Sequence, residues 1–248
     1  MDRLEWKAKV GLIVVSSSTV AETRYPRVVP PEVGFFTSRM LLRPGGELEA
    51  LVEMEANAGR AVEELASAQV DSIAYCCTVS GALRGPEKDA LFCRDMEEQW
   101  GVRTTSTMLA CTEALRHMGM KRVVVTSPYP DSHHVAEQAY LEASGIEPLV
   151  MKGMGLHGGQ AYGAVIPEEV YDFSLRAWEL YGDEADGLFI SCMNLDAMPA
   201  IQALEEATGK PVVTSHSATL WRALSLAGYE EPIAGYGRLL GQRRGTGR

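Results

Sequence analysis

Two cysteines stand at the same point of two similar segments. In VDSIAYCCTVSG (70–81) Asp71 precedes Cys77 by six positions, and in ADGLFISCMNLD (185–196) Asp186 precedes Cys192 by six. A pair of thiols facing one carbon can take a proton from one face and deliver one to the other. Alternatively, one thiol attacks while its partner handles the proton. Both cysteines follow short apolar runs, where a strand would end and a helix begin. The free N–H groups of a helix N-terminus stabilise a thiolate, so the spacing predicts that both thiols are acidified. Strand alternation turns Cys76 to the opposite side and into packing. Cys93 and Cys111 sit among Leu, Met and Ala at helical spacing and read as small buried hydrophobes. Five cysteines without a CxxC spacing, in a chain large enough to fold without staples, are expected to be reduced thiols.

Two strand-end thiols need a scaffold that brings strand ends together. Short Val/Ile/Leu runs alternate with helical-period segments throughout the chain, which predicts an α/β fold with parallel strands. Strands are expected at 9–15, 33–37, 70–76, 101–105, 121–126, 147–151, 186–191 and 210–214. Helices are expected near 46–67, 87–98, 107–118, 132–144, 167–180, 196–207 and 217–227. TSTMLACTEALRHMG (105–119) also aligns with TSHSATLWRALSLAG (214–228), and VVVTSPYP answers LIVVSSST. Three pieces recurring in one order predict two similar Rossmann-like parallel-sheet halves, related by a pseudo-twofold axis, with the site in the cleft between them. The halves are read as 1–118 and 119–214, with the C-terminal helix segment 215–248 packing back on the first. The last residues, GQRRGTGR, are expected to fray.

In open parallel sheets, ligands bind beyond the carboxyl ends of the strands. Here those ends are rich in hydroxyls and thiols: Ser16-Ser17-Ser18-Thr19, Cys77-Thr78-Val79-Ser80, Thr105-Ser106, Thr126-Ser127-Pro128-Tyr129, Ser191-Cys192-Met193-Asn194 and Thr214-Ser215-His216-Ser217. Helix caps account for one such residue per loop, not three or four. The remainder suits a small carboxylate held by N–H groups, hydroxyls and helix dipoles. His216 either lines this site or starts a helix. Arg39 either faces a carboxylate or pairs with an acidic side chain.

A net charge of −10 and the lack of a basic patch argue against nucleic acid as partner. The longest early apolar run, VGLIVV, is too short for a bilayer and follows charged residues, so no membrane partner and a cytoplasmic location are expected. The five histidines show no HxxxH or HExxH spacing, and no catalytic metal is expected. Gly153-x-Gly155-x-x-Gly158 is a literal GxGxxG, but it lies outside the first βαβ unit and no helix is expected before Pro167. It reads as a lid over the cleft rather than as a dinucleotide site. A homo-oligomer is compatible with a fold of this size.

The segments GLIVVSSSTVAET, FFTSRM (35–40), YCCTVSG, VTSPYPD and ISCMNL resemble the aspartate/glutamate racemase superfamily. That superfamily includes amino-acid and hydantoin racemases, maleate cis–trans isomerase and arylmalonate decarboxylase, and the resemblance runs over almost the whole chain. It is strongest to the maleate isomerases. It implies a cofactor-independent enzyme in which the Cys77 thiolate adds to a substrate double bond and Cys192 protonates and deprotonates the neighbouring carbon. It further implies that Tyr129 hydrogen-bonds a carboxylate and that the backbone at Thr78-Val79 and Met193 cradles carboxylate oxygens. Ser18 stands where those isomerases carry Asn, and GMGLHGGQAYG replaces a loop that carries another; His157 or Gln160 is the expected substitute for the second. Racemisation, decarboxylation of a malonate-like acid and simple small-molecule binding by two lobes remain as alternatives.

Overall fold

The computed structural model describes residues 5–43 and 47–242. Eight strands fall where expected: β1 Ala8–Val15, β2 Val33–Met40, β3 Ser72–Cys76, β4 Arg103–Ser106, β5 Arg122–Ser127, β6 Glu147–Gly153, β7 Gly187–Ile190 and β8 Val212–Thr214. They form two four-stranded parallel sheets of the same order, β2-β1-β3-β4 and β6-β5-β7-β8. The helices are α1 Ala21–Val28, α2 Glu47–Glu55, α3 Ala58–Ser67, α4 Thr78–Arg84, α5 Pro86–Trp100, α6 Thr107–His117, α7 Asp131–Ala143, α8 Gly159–Ala164, α9 Pro167–Tyr181, α10 Ile201–Thr208, α11 Ser215–Leu226 and α12 Gly237–Gly241. Among the described residues no helix is long and apolar enough to cross a membrane.

The two aspartates of the echo do the same structural work in each half. Asp71 precedes β3, and its carboxylate accepts the Lys9 N–H at 2.7 Å while its own N–H donates to Lys9 O at 2.8 Å. Asp186 precedes β7, and its carboxylate accepts the N–H groups of Lys121 and Arg122 at 2.9 and 2.8 Å. These bonds lower its pKa. Each aspartate therefore sets the register of the thiol-bearing strand against the first strand of its sheet. With six residues to the cysteine in both cases, the two thiols emerge at equivalent strand ends.

The halves exchange a helix. α6, from the first half, packs Met108, Cys111 and Leu115 onto Val123, Val125 and Phe189 of the second sheet. α11, from the second, packs Leu220, Ala223 and Leu224 onto Leu12, Val14 and Ala74 of the first. Hydrogen bonds pin that crossing, from Ser72 Oγ to Ala223 O at 2.8 Å and from Tyr25 OH to His216 O at 3.0 Å. Each fully buried Leu or Val here contributes about 1.5–3 kcal/mol, so the exchange joins the two sheets through a continuous core.

Several elements depart from expectation. The predicted helix 46–67, whose first residue lies outside the described residues, is two helices broken at 56–57, where Asn57 precedes α3 in a non-helical conformation. α1 and α4 lie where no helix is predicted. Pro26 inside α1 discourages a helical reading, and the seven residues of α4 are too few to show a period. α8 occupies part of the predicted lid loop. Residues 243–248 of the basic ending lie outside the described residues.

Candidate active site

The carboxyl ends of both sheets converge on one cavity of about 310 Å3. Ser17, Ser18, Cys77, Thr78, Val79, Tyr129, Cys192, Met193 and Asn194 all line it. Cys77 is the N-cap of α4, in extended conformation, and is almost fully buried. Cys192 follows β7 on a loop with no helix directly after it; a 3-10 turn begins only at Met198. Its φ of 132° lies in the region glycine favours, a conformation that costs on the order of 1–3 kcal/mol and persists only when surroundings enforce it. The enforcing contact is visible. Cys192 N–H donates to Ser215 Oγ at 3.0 Å, and Thr78 Oγ1 donates to the same hydroxyl at 3.4 Å. Ser215, the first residue of α11, thus couples the loops of the two thiols.

Burial changes the expected thiol chemistry. Both cysteines were expected to be acidified; instead burial raises both. Cys77 is raised by desolvation, partly offset by hydrogen bonds from Ser80 and by the Arg84 charge. Cys192 is pushed up to about 12 by desolvation, opposed by hydrogen bonds from Tyr129 and the Asn194 N–H. That N–H lies 3.3 Å from the sulfur. The dipole of a seven-residue helix at one thiol, and of none at the other, does not outweigh removal from water.

Tyr129 stands against Cys192 and Thr78. Its ring meets Tyr162 edge-on at 5.4 Å and His133 at 5.6 Å, which fixes the hydroxyl's direction. Burial, reinforced by the Cys192 charge, raises its pKa well above the ordinary range, so it remains an O–H donor. Below it, Ser127 Oγ accepts the Tyr129 N–H at 3.2 Å and pairs with His134 Nε2 at 2.8 Å.

Asn194 is committed to holding loops together. Its Oδ1 accepts the Thr19 N–H at 2.9 Å and the Ser18 hydroxyl at 3.3 Å, and its Nδ2 donates to Gly159 O at 2.6 Å and Ser17 O at 3.4 Å. Arg39 does not line the cavity. Its guanidinium donates to Ser16 O and Ser18 O, both at 2.8 Å, and pairs with Glu22, so it braces the first loop. Arg24 of α1 pairs with Asp196 beyond the Cys192 loop. His216 is fully buried beside Tyr25 at 5.8 Å rather than in the cavity, and burial lowers its pKa to about 4. His157 and Gln160 are exposed and are not among the residues that line the cavity.

Cys76 is buried among the apolar residues of the first core, as alternation requires, although it also reaches the cavity wall. Sequence reasoning missed the largely apolar roof of Val15 at the end of β1, Leu42 after β2, and Ala50 and Leu51 of α2, with Arg43 beside them. It also missed Tyr162 and Gly159 of α8. The aromatic and paired glycines in HGGQAYG were the available signal. Among the described residues no group of three or more His, Cys, Asp or Glu is placed to hold a metal ion.

The first glycine of the GxGxxG has a packing reason. A Cβ on Gly153 would lie 2.0 Å from the Tyr129 carbonyl oxygen, and the two segments are zipped by Met154 N–H to Ser127 O at 3.0 Å and Gly155 N–H to Tyr129 O at 3.1 Å. Gly153→Ala is expected to displace the Tyr129 loop. Thermal denaturation should show a loss of about 1–3 kcal/mol, and turnover should fall by more than stability alone explains.

The chain matches the family model described as arylmalonate decarboxylase over residues 10–240. The arylmalonate decarboxylase of Bordetella bronchiseptica is 29% identical over 234 residues, covering 93% of this chain and 95% of that protein. The maleate isomerase of Nocardia farcinica is 28% identical over 244 residues, covering 94% and 96%. Among solved structures, a Cys→Ser variant of Nocardia farcinica maleate cis-trans isomerase with a covalently bound succinylcysteine intermediate matches with TM-score 0.87 at 27% identity, over 96% of this chain and 99% of that one. A liganded Gly→Cys, Cys→Ser variant of arylmalonate decarboxylase matches with TM-score 0.85 at 26% identity, over 94% and 98%.

Proposed function

This chain belongs to the arylmalonate decarboxylase family, and from that premise we propose that it is a two-thiol isomerase of a small unsaturated carboxylic acid, with maleate-type cis–trans isomerisation as its reaction. The observation that carries this reading is that Cys77 and Cys192, from equivalent strand ends of the two sheets, face one cavity with the Tyr129 hydroxyl beside them. The Cys77 thiolate adds to one alkene carbon, forming a C–S bond. Cys192 gives its proton to the adjacent carbon, leaving a single bond free to rotate. The Cys192 thiolate then takes the proton back, the C–S bond breaks, and both thiols return to their starting state. Thiolate and proton added across maleate make a succinylcysteine, the species held by the Nocardia relative. Thr78, Val79 and Met193 supply backbone donors for a carboxylate and Tyr129 an O–H donor, an arrangement that stabilises the enolate-like charge formed next to it. The chemistry needs no cofactor.

A second reading is decarboxylation of a malonate bearing an apolar substituent. The roof of Val15, Leu42, Ala50 and Leu51 favours it. Proton NMR in D2O with maleate, aspartate, glutamate, a hydantoin and phenylmalonate separates the readings. Maleate turning to fumarate, and failing to in Cys77→Ala, is the expected result. Loss of carbon dioxide from phenylmalonate that needs Cys192 but not Cys77 would establish the second reading instead. Deuterium entering an α-carbon, lost in either cysteine variant, would mean a racemase, and binding without turnover of any substrate would sink the enzyme reading.

A further inference from the structure

Behind Cys192 lies a carboxylate that the mechanism above does not use. Glu137 of α7 is 2% exposed, and neither of its oxygens makes a hydrogen bond to a described residue. Ser191, the residue before Cys192, is fully buried with its hydroxyl likewise unbonded. The hydroxyl stands close enough to Glu137 to ease its ionisation without closing a full hydrogen bond. Two unsatisfied buried groups side by side are rare in folded interiors and tend to mark function when they adjoin a site.

The neighbours of Glu137 give it a direction of action. Its charge is felt by Cys192 and Tyr129 in the cavity and by Cys111 of α6. No cation answers it among the charged groups on the elements packed against α7. Arg84 of α4 is bound to Glu55 and Asp89, and Lys152 of β6 lies over the Tyr181 ring. On α7 itself His134 bonds Ser127, His133 lies against the Tyr129 ring, and Tyr140 bonds Asp89. Both thiols have hydrogen bonds that favour the thiolate, from Ser80 at Cys77 and from Tyr129 and Asn194 at Cys192; they differ in charge, since Cys77 has Arg84 as well as Glu55 beside it, whereas Cys192 has Glu137 and no cation.

We propose that Glu137, with Ser191 beside it, is the positioning residue that keeps Cys192 protonated and so leaves Cys77 to act as the nucleophile. The inference rests on the two-thiol reading and adds to it the reason why two equivalent strand-end thiols take different roles. Burial raises Glu137 to about 7. Below that pH the carboxyl is neutral and Cys192 is less restrained; above it the carboxylate opposes a second negative charge at Cys192.

The test is alkylation of the native protein by iodoacetamide from about pH 6 to about pH 9.5, with tandem mass spectrometry following Cys77 and Cys192 separately and distinguishing Cys76. Glu137→Gln keeps the shape and removes the charge. In it Cys192 should react several-fold faster at mildly alkaline pH, because the charge that opposes its thiolate is gone, while Cys77 changes by less than about twofold. Ser191→Ala provides an independent check. It removes the hydroxyl that eases ionisation of Glu137, so Cys192 should react faster near neutral pH and converge with the parent at high pH. An unchanged Cys192 rate in both variants, or Cys77 and Cys192 rising together as in a loosened core, would overturn the proposal. The readout needs no turnover, so its failure is distinct from failure of the isomerase reading, which the NMR panel decides.

Discussion

In a Cys192→Ser variant supplied with maleate, Cys77 should accumulate as a covalent succinyl adduct, visible by intact mass and absent from Cys77→Ala. Conversion to fumarate should fall by about 10^3-fold or more in either variant. The two losses have different causes. Without Cys77 no C–S bond forms, and nothing releases the alkene to rotate. Without the Cys192 thiol, the serine hydroxyl or a water molecule supplies the proton that completes the adduct, but no thiolate stands ready to take it back, so elimination stalls with the adduct in place. Because burial raises Cys77 above an ordinary thiol, its thiolate fraction climbs as pH rises into the alkaline range. The rate of adduct formation in Cys192→Ser should climb with it. A pH-independent rate would mean that the nucleophile is already ionised in the folded protein and that desolvation does not govern it.

The largest stability effect is expected away from the cavity, at Arg84. Its guanidinium donates to Asp89 and to Glu55, both at 2.8 Å, and is flanked by the rings of Tyr75 at 4.7 Å and Phe92 at 3.9 Å. Asp89 is fully buried and also accepts from Ser106 and, at 3.0 Å, from Tyr140. This network ties α4, which begins one residue after Cys77, to α5, β4 and α7. Arg84→Met strips the cation from a buried carboxylate and should cost about 3–5 kcal/mol, a drop in Tm of roughly 6–20 °C for a chain of this size. Chemical denaturation provides the check. Replacing Asp89 by Leu in the same background should recover part of the loss, since the penalty belongs to the unpaired charge. No recovery would mean that packing of the Arg84 stem against Tyr75 and Phe92 carries the effect.

Much of the site was legible because its signals are local. Alternation of aliphatic runs with helical segments reports parallel strands and their ends. The Asp–Cys spacing reports register, and Asp71 and Asp186 do bond the first strand of each sheet. Hydroxyl-rich strand ends pointed to the cavity, since caps account for few of them: Ser106 caps α6 and Thr214 caps α11, while Thr78 and Ser215 do other work. The pairing of Thr78 with Ser215 was not legible, because they are 137 positions apart and meet only when α11 crosses to the first sheet. Nor was the role of Asn194, whose amide is spent on Thr19, Ser18, Ser17 and Gly159.

The sequence by itself determined the doubled α/β pattern, the placement of Cys77 and Cys192 at equivalent strand ends, and the family to which their surroundings are similar. Each of these depends on periodicity or spacing within a segment of a few tens of residues. The tertiary structure alone decided the burial that raises both thiols, the left-handed backbone at Cys192, the packing of α6 onto the second sheet, and the approach of Glu137 to the site. Each of these depends on how much water is excluded and on which groups from distant segments meet. Desolvation and long-range hydrogen bonding act between elements that no sequence window contains.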